Sequence, residues 1–200
     1  MGRRSDHSRE ELQSLIVEAT LDLVKEHGAE KVTARQIAQA VGYTPGTLYS
    51  VFINLQDIFL HVNDLGLSTL FEQCAKAMSA QTEPFAAIRS LGIAYLEFAT
   101  NNTHQFDLMF ARADSPSEEA PAAIRTRIRS MFDLIEEQLR ILNPDATTAQ
   151  VKLGARALWS GVHGTATLRL SDQLYLDRSS SDSDVVDMLV NNFLRSWQHP

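Results

Sequence analysis

Residues 33–52 read TARQIAQAVGYTPGTLYSVF, and two helix signals follow each other within this stretch. A threonine and a glutamine spaced as a capping box, Thr33 and Gln36, predict a short helix at its start. Gly42 then supplies a turn conformation that residues with a side chain resist. Behind the turn, Pro45 stands at a first helical position, where a helix tolerates proline best. We therefore predict two short helices joined by a tight turn.

A longer helix is predicted just upstream. Ser8 and Glu11 form a second capping box, and apolar residues recur at helical spacing as far as His27. Gly28 follows, where a left-handed C-cap is expected. This helix and the two short helices joined at Gly42 together match a helix-turn-helix. Apolar residues stand where these helices must pack on one another, at Ile37, Ala38, Val41 and Leu48.

The rest of the chain also predicts helices. Asn54 can cap a long fourth helix, and a short apolar segment covers residues 106–111. The spacing of apolar residues predicts helices over residues 55–79, 85–100, 122–142, 145–170 and 185 to about 197. Residues 115–121 form the most loop-like interior stretch, and residues 179–184 form a polar linker. Because the sequence has no alternating strand pattern, the predicted fold class is all-α.

Composition narrows the class of protein. The 200 residues are 44% hydrophobic, which favours a packed core over disorder. The one cysteine, Cys74, cannot form an intrachain disulfide, and this fits a reducing compartment. The N-terminus lacks the apolar stretch of a signal peptide, and no apolar run approaches the roughly 20 residues of a membrane span. We therefore expect a cytoplasmic protein with no membrane partner.

An enzyme is a rival class that the titratable residues do not favour. Catalysis needs converging groups, such as a nucleophile with its base or metal ligands at matched spacing. The six histidines are dispersed, Cys74 has no motif around it, and glycine-rich phosphate loops are absent from the sequence. We expect no catalytic residues, no bound metal and no cofactor.

The net charge of −7 argues at first sight against a nucleic-acid partner. DNA, however, responds to the field of one face of a protein rather than to the whole-chain sum. Residues 1–60 hold six Lys or Arg against eight Asp or Glu, but Arg35 is the only charged residue within 33–56. Three arginines cluster at the start of the chain, at Arg3, Arg4 and Arg9. A surface poor in carboxylates is therefore available to face DNA.

The second helix of the predicted pair carries groups suited to hydrogen bonding. These side chains are short or planar, at Thr44, Thr47, Tyr49 and Ser50. Gly46 permits a close approach of the backbone to a partner, because it has no side chain.

The pattern IAxxVGYTPGTLYxxF within residues 33–52 resembles the DNA-binding signature of the TetR family of regulators. The resemblance implies that the helix starting at Pro45 enters the major groove of DNA. Pro45 and Thr47 would then meet bases, Tyr49 would contact a phosphate, and Thr33 would meet the DNA backbone. With Thr44 and Gly46 beside them, these are the predicted DNA-binding residues, together with Arg3 and Arg4 as an N-terminal arm.

One position departs from the family pattern. Three residues after Phe52, where the family usually shows a lysine that touches phosphate, this chain has Leu55. The lost contact should flatten the salt dependence of binding by about one unit of slope. The arginines of the arm would then supply more of the affinity for DNA. The acidic head and Leu55 also leave an alternative open, a TetR-like ligand-binding protein with weak or lost DNA binding.

The resemblance further implies two domains and a homodimer. Residues 1–54 would be the helix-turn-helix DNA-binding domain, and residues 55–200 a ligand-sensing and dimerisation bundle whose last two long helices join two subunits. Small residues crowd the helix predicted over 145–170 and indicate a packed interface, at Gly154, Ala155, Ala157, Gly161, Gly164 and Ala166. Two recognition helices must also meet half-sites roughly 34 Å apart on DNA, which requires a dimer.

A ligand pocket is predicted from the middle of the chain. The segment from Trp159 to Gly164, WSGVHG, resembles the Trp-His-Gly signature of one subgroup of TetR-family C-terminal domains. Trp159 and His163 would line a pocket, or alternatively be a core tryptophan and a satisfied buried histidine. The candidate pocket residues are Phe71, Phe98, Met109, Phe110, Trp159 and His163. Such a pocket favours a small apolar effector, whose binding would release a repressor from a pseudo-palindromic operator.

Overall fold

The structure, a computed structural model, describes residues 7–110, 122–175, 177 and 180–198. Within these ranges the regular elements are helices and there is no strand, which confirms the all-α prediction. The helices are α1 (Arg9–His27), α2 (Ala34–Ala40), α3 (Pro45–Leu48), α4 (Leu55–Ser79), α5 (Pro84–Asn101), α6 (Thr103–Phe110), α7 (Ala122–Leu142), α8 (Thr148–Leu170) and α9 (Asp182–Gln198). A 3-10 turn, Ala29–Lys31, follows α1. The loop predicted over residues 115–121 lies outside the described residues.

The local helix signals act as predicted. Ser8 and Glu11 bond reciprocally at the start of α1, and Thr33 does the same with Gln36 at the start of α2. Asn54 accepts a hydrogen bond from the backbone N–H of Asp57 at 2.8 Å, which caps α4. Each of these bonds satisfies a backbone donor that the first turn of a helix leaves without a partner.

Three helix boundaries and one cap differ from the prediction. α9 begins at Asp182, inside the polar linker predicted over residues 179–184, because the Ser181 hydroxyl accepts from the Asp184 backbone N–H and caps the helix. α3 ends at Leu48 rather than about Val51, because the chain tightens there into turns with a Val51 N–H bond to the Leu48 carbonyl at 3.0 Å. α8 begins at Thr148, since Thr147 forms a capping box with Gln150 that the prediction overlooked. Gly28 has φ 83° but ψ 147°, so it has the positive φ of a C-cap glycine without the left-handed helical conformation.

Contacts divide the chain into two units. The head unit comprises Met1–Gly66 with Asn102–Ser117, and the bundle unit comprises Leu67–Asn101 with Glu118–Pro200. The predicted domain boundary after residue 54 stays a prediction. The start of α4 joins the head because Ile58 and Val62 are fully buried in its core. α4 itself continues unbroken from one unit into the other.

The head unit is built around one apolar cluster. α1 contributes Ile16 and Val24, and α2 and α3 contribute Ile37 and Leu48, all fully buried. α6 also belongs here, since it packs against α1 and places Leu108 in the same cluster. The three-helix head is thus closed by two further helical segments, which the sequence did not suggest.

In the bundle unit, α5, α7, α8 and α9 pack on one another. Glycines allow close crossings, because a Cβ on Gly161 would lie 2.6 Å from Leu189 and one on Gly154 would lie 2.9 Å from Trp197. The small residues of α8 therefore serve packing against α9 of the same chain as well as any other interface. No helix in the described part of the chain is long and apolar enough to cross a membrane.

Candidate functional site

The first candidate surface is the outer side of α3. Leu48 is fully buried and anchors the helix to the head core, a burial that contributes about 2 kcal/mol. With Leu48 turned inward, Thr44, Pro45 and Gly46 are exposed and Tyr49 is 47% exposed. α3 therefore presents the predicted DNA-binding side chains to the outside of the head.

Hydroxyl groups on this face are paired with each other. The Oγ1 atoms of Thr44 and Thr47 lie 3.1 Å apart, and Thr44, which directly precedes α3, makes no side-chain cap bond. A Cβ on Gly46 would meet only Thr44 Oγ1, at 3.8 Å. Because internal packing does not require a glycine there, the missing side chain leaves room for a partner.

Thr33 is exposed, but its hydroxyl is already used. It accepts from the Gln36 backbone N–H at 3.3 Å and donates to Gln36 Oε1 at 2.7 Å. A contact with the DNA backbone would come from a hydroxyl held in a fixed orientation by this capping box.

The described chain starts beside the turn that precedes α3. His7 Nδ1 and the Tyr43 hydroxyl are 2.9 Å apart, and the Arg9 guanidinium donates to the Val51 carbonyl at 3.5 Å. The sequence offered no signal for these contacts, which join residues far apart in the chain. Arg3 and Arg4 lie outside the described residues, so their place in the site stays a prediction.

Leu55, which replaces the lysine usual in the family, is partly buried against the head core. Its side chain therefore has an internal packing role. The same turn holds Asp57, whose carboxylate accepts from the Ile53 backbone N–H at 2.9 Å. A carboxylate engaged with the backbone in this way is a fixed negative charge at the start of α4, where the helix dipole favours it.

A second candidate site lies in the bundle unit, around an aromatic stack. The rings of Trp159 and His163 are stacked 5.0 Å apart, and Phe132 meets Trp159 edge-on at 5.8 Å. The Tyr95 hydroxyl lies 2.9 Å from His163 Nδ1. Burial lowers the pKa of His163 and raises the pKa of Tyr95, so both groups are neutral at pH 7.

The other predicted pocket residues divide between the two units. Phe98 is 1% exposed and Phe71 is half-buried, both in the bundle unit. Met109 and Phe110 belong to the head unit, where Phe110 is 37% exposed and its ring lies 4.7 Å from that of Phe106. The structure brings Trp159 and His163 together with Tyr95, and a single pocket of all six residues stays a prediction.

Sequence reasoning missed a buried ion-pair cluster in the bundle unit. Glu136 is fully buried and accepts from Arg156 at 3.1 Å and from Arg140 at 3.2 Å. Arg156 also lies over the Phe132 ring, 4.4 Å from its centroid. The i, i+4 spacing of Glu136 and Arg140 was visible in the sequence, but the partner on α8 was not. The described residues contain no group of three His, Cys, Asp or Glu that could hold a metal ion.

Two family models match the chain. The model described as "Bacterial regulatory proteins, tetR family" matches residues 16–62, which include α2, α3 and the turn between them. The model described as "Tetracyclin repressor-like, C-terminal domain" matches residues 88–193, more than half of the chain. Both describe regulatory proteins rather than enzymes.

Individual proteins are similar at a lower level. An uncharacterized HTH-type transcriptional regulator of Bacillus subtilis (strain 168), YobS, is 24% identical over 156 residues, 78% of each chain. The HTH-type transcriptional regulator AcrR of Shigella flexneri is 23% identical over 174 residues, 81% of each chain. A solved structure of a protein with unknown function from Rhodococcus sp. RHA1 has a TM-score of 0.78 at 18% identity, covering 98% of both chains, and shares the fold.

Proposed function

We propose that this chain, which belongs to the TetR family of bacterial regulatory proteins, is a repressor. A small apolar ligand would release it from a pseudo-palindromic operator. The family membership makes it a DNA-binding transcriptional regulator with a helix-turn-helix head. The direction of regulation, the dimer, the ligand and the contacting residues are the proposal. Since it acts on bacterial DNA, we place it in the cytoplasm.

The exposed face of α3 carries this proposal. Thr44, Pro45, Gly46 and Tyr49 point away from the core that holds Leu48. Threonine hydroxyls and methyls can read base edges in the major groove, and a tyrosine hydroxyl can bind phosphate. The paired hydroxyls of Thr44 and Thr47 offer both a donor and an acceptor.

The outer face of α8 supports a homodimer. Leu153 is 70% exposed and Leu168 is 41% exposed, and helical spacing places both on one face with Gly164. A Cβ on Gly164 would meet no described residue within 4 Å. On α9, Met188 is 68% exposed. An apolar face that the described residues leave uncovered fits a second copy of α8 and α9, packed as a four-helix bundle.

The aromatic stack of the bundle unit supports a ligand with an apolar body. Trp159, His163 and Phe132 form a continuous ring surface, and Tyr95 and His163 are neutral beside it. Aromatic walls favour apolar compounds, and the charge of Arg156, which lies over the Phe132 ring, is balanced by Glu136. The ligand can weaken operator binding only if it binds more tightly to the conformation that does not bind DNA. The difference between its two affinities limits the size of the effect.

The decisive experiment is selection of bound sequences from a random duplex library by the purified protein, followed by salt titration of the recovered site. We expect a pseudo-palindrome with half-sites about one DNA turn apart. A recovered site without two-fold symmetry would contradict the dimeric arrangement. Recovery of no enriched sequence at low salt would favour the alternative that Leu55 and the acidic head suggest, a ligand-binding protein with weak or lost DNA binding.

A matched pair of variants tests α3 itself. Thr47→Ala should weaken binding to the selected operator by about tenfold and relax the preference at one position of each half-site, since one base contact is lost. Thr148→Ala changes an exposed threonine at the start of α8 and should leave operator affinity unchanged. Equal effects of the two substitutions would remove α3 from the DNA interface.

A further inference from the structure

The segment around the start of α1 contacts the chain on both sides of α3. His7 Nδ1, just ahead of α1, lies 2.9 Å from the hydroxyl of Tyr43, which stands in the turn before α3. The Arg9 guanidinium, in the first turn of α1, lies 3.5 Å from the carbonyl oxygen of Val51, in the turn after α3. Since α3 has only four residues, these two contacts place the start of α1 alongside this helix.

The positive charge of Arg9 is not neutralised within the described chain. Arg9 is exposed and forms no ion pair with another described residue. Its contact with Val51 is long for a hydrogen bond and uses one of the five N–H donors of a guanidinium. Two carboxylates of this region are bound elsewhere, Glu11 in the capping box of α1 and Asp57 to the Ile53 backbone N–H. Arg9 therefore has a charge and free donors for a partner.

Arg9 is also the cation that the structure places beside α3. The described part of the head unit contains three other Lys or Arg residues, Lys25, Lys31 and Arg35. None of these three has a hydrogen bond or ion pair with residues 43–53 of the described chain. Phosphates line both edges of the major groove of DNA, which is about 12 Å wide. A helix in the groove thus has phosphates at its sides, where Arg9 stands relative to α3.

We infer that Arg9 binds a phosphate of the DNA backbone next to α3, and this rests on the proposed DNA face of α3. A guanidinium can keep one donor on the Val51 carbonyl and turn a pair of others to two phosphate oxygens. Such a contact neutralises one phosphate for each subunit and carries no sequence information. Arg9 thus adds affinity for any duplex and fixes how α3 lies in the groove.

The inference is tested by titrating the purified full chain with a short duplex of random sequence at several salt concentrations. Arg9→Gln should make the slope of log affinity against log salt shallower by about 0.9 for each bound subunit, since one phosphate fewer is neutralised. Its affinity near physiological salt should fall about tenfold for a complex with two subunits, as expected for two exposed ion pairs. Arg9→Lys keeps the charge and should retain the slope of the wild type.

Lys25→Gln is the matched control. It removes the same charge from an exposed position sixteen residues further along α1, about 24 Å away at 1.5 Å per residue. This distance exceeds the Debye length of about 10 Å at moderate salt. Lys25→Gln should therefore keep the salt slope of the wild type and its affinity to within about twofold.

A comparison of two duplexes distinguishes a phosphate contact from a base contact. Arg9→Gln should weaken binding to the selected operator and to the random duplex by the same factor. A loss confined to the operator would overturn the inference, because it would mean a base contact or a displaced α3. An unchanged salt slope would overturn it too, and a lower thermal midpoint with that unchanged slope would assign Arg9 to holding the turn after α3.

The random duplex also separates this inference from the proposed repressor. Failure to select an operator would refute the repressor, whereas the contact of Arg9 is measured without one. A shallower slope in Arg9→Gln alone would then still support the phosphate contact. Absence of all duplex binding by the wild type at low salt would refute both.

Discussion

The outward faces of α3 and α8 differ in chemistry. α3 exposes Thr44, Gly46 and Tyr49 around a buried leucine, and its hydroxyls are paired. α8 exposes Leu153 and, with the same spacing, other apolar or small positions up to Leu168. A polar face suits hydrated phosphates and base edges, whereas an apolar face is stable only when another apolar surface covers it. Each face thus indicates its own kind of partner.

The largest expected effect is the loss of stability when Leu48, the buried side chain that anchors α3, is removed. Leu48→Ala should lower the free energy of unfolding by about 3 kcal/mol, because it removes a fully buried side chain from the head core. Ile53→Ala, in the same unit but 85% exposed, should change it by less than about 0.5 kcal/mol. Urea denaturation of both variants measures the difference, and similar losses would mean that α3 is not held by its leucine.

The second effect concerns the apolar face of α8. Leu153→Asp should shift the dimer towards monomer by about 2 kcal/mol or more, because a charge would be buried between subunits. Ile141→Asp on α7, also exposed at 56%, should leave the dimer intact. Sedimentation at micromolar concentration distinguishes the two. Dissociation by Ile141→Asp alone would place the subunit interface on α7 instead.

A third, smaller effect compares two glycines three residues apart. Gly161→Ala should destabilise the chain by about 1 kcal/mol, because its Cβ would meet Leu189 at 2.6 Å. Gly164→Ala meets no described residue within 4 Å, so it should raise the stability of the separate subunit by about 1 kcal/mol or less, and this gain should vanish at concentrations at which the subunits pair. Unfolding at several protein concentrations tests both. A Gly164→Ala variant that gains stability at every concentration would show that no partner helix approaches there closely.

The smallest effect is the pH dependence of the aromatic stack. Burial lowers the pKa of His163 below its usual value near 6.5, so the unfolded chain takes up a proton first as the pH falls. Stability should therefore be complete above about pH 6.5 and decline below it. His163→Gln should flatten this decline between pH 7 and 5.5, whereas His27→Gln in the head should not. An unchanged slope in His163→Gln would mean that another group causes the decline.

Local hydrogen bonds account for what could be predicted. The capping boxes of α1 and α2 join residues three apart, so Ser8 with Glu11 and Thr33 with Gln36 were predicted correctly. The box at Thr147 obeys the same rule and was simply overlooked. The Trp159–His163 stack follows equally from i, i+4 spacing on one helix.

Contacts between distant residues could not be predicted. His7 meets Tyr43 across 36 positions, and Tyr95 meets His163 across 68. The amide of Gln105 comes to rest against Gly66 only because α6 folds back onto the head. A single sequence does not indicate which distant residues will meet, since these contacts depend on how separate helices pack.

The sequence by itself determined the helices, their caps and the helix-turn-helix pattern, because these depend on bonds and spacings within a few residues. It also carried the resemblance to the TetR family that two family models confirm. Only the tertiary structure decided which of two similar glycines packs inside, Gly161, and which faces outward, Gly164. It likewise buried Glu136 among arginines and left Asn63 Oδ1 without a partner. Burial is a property of the whole packed chain, whereas a cap needs one turn of helix.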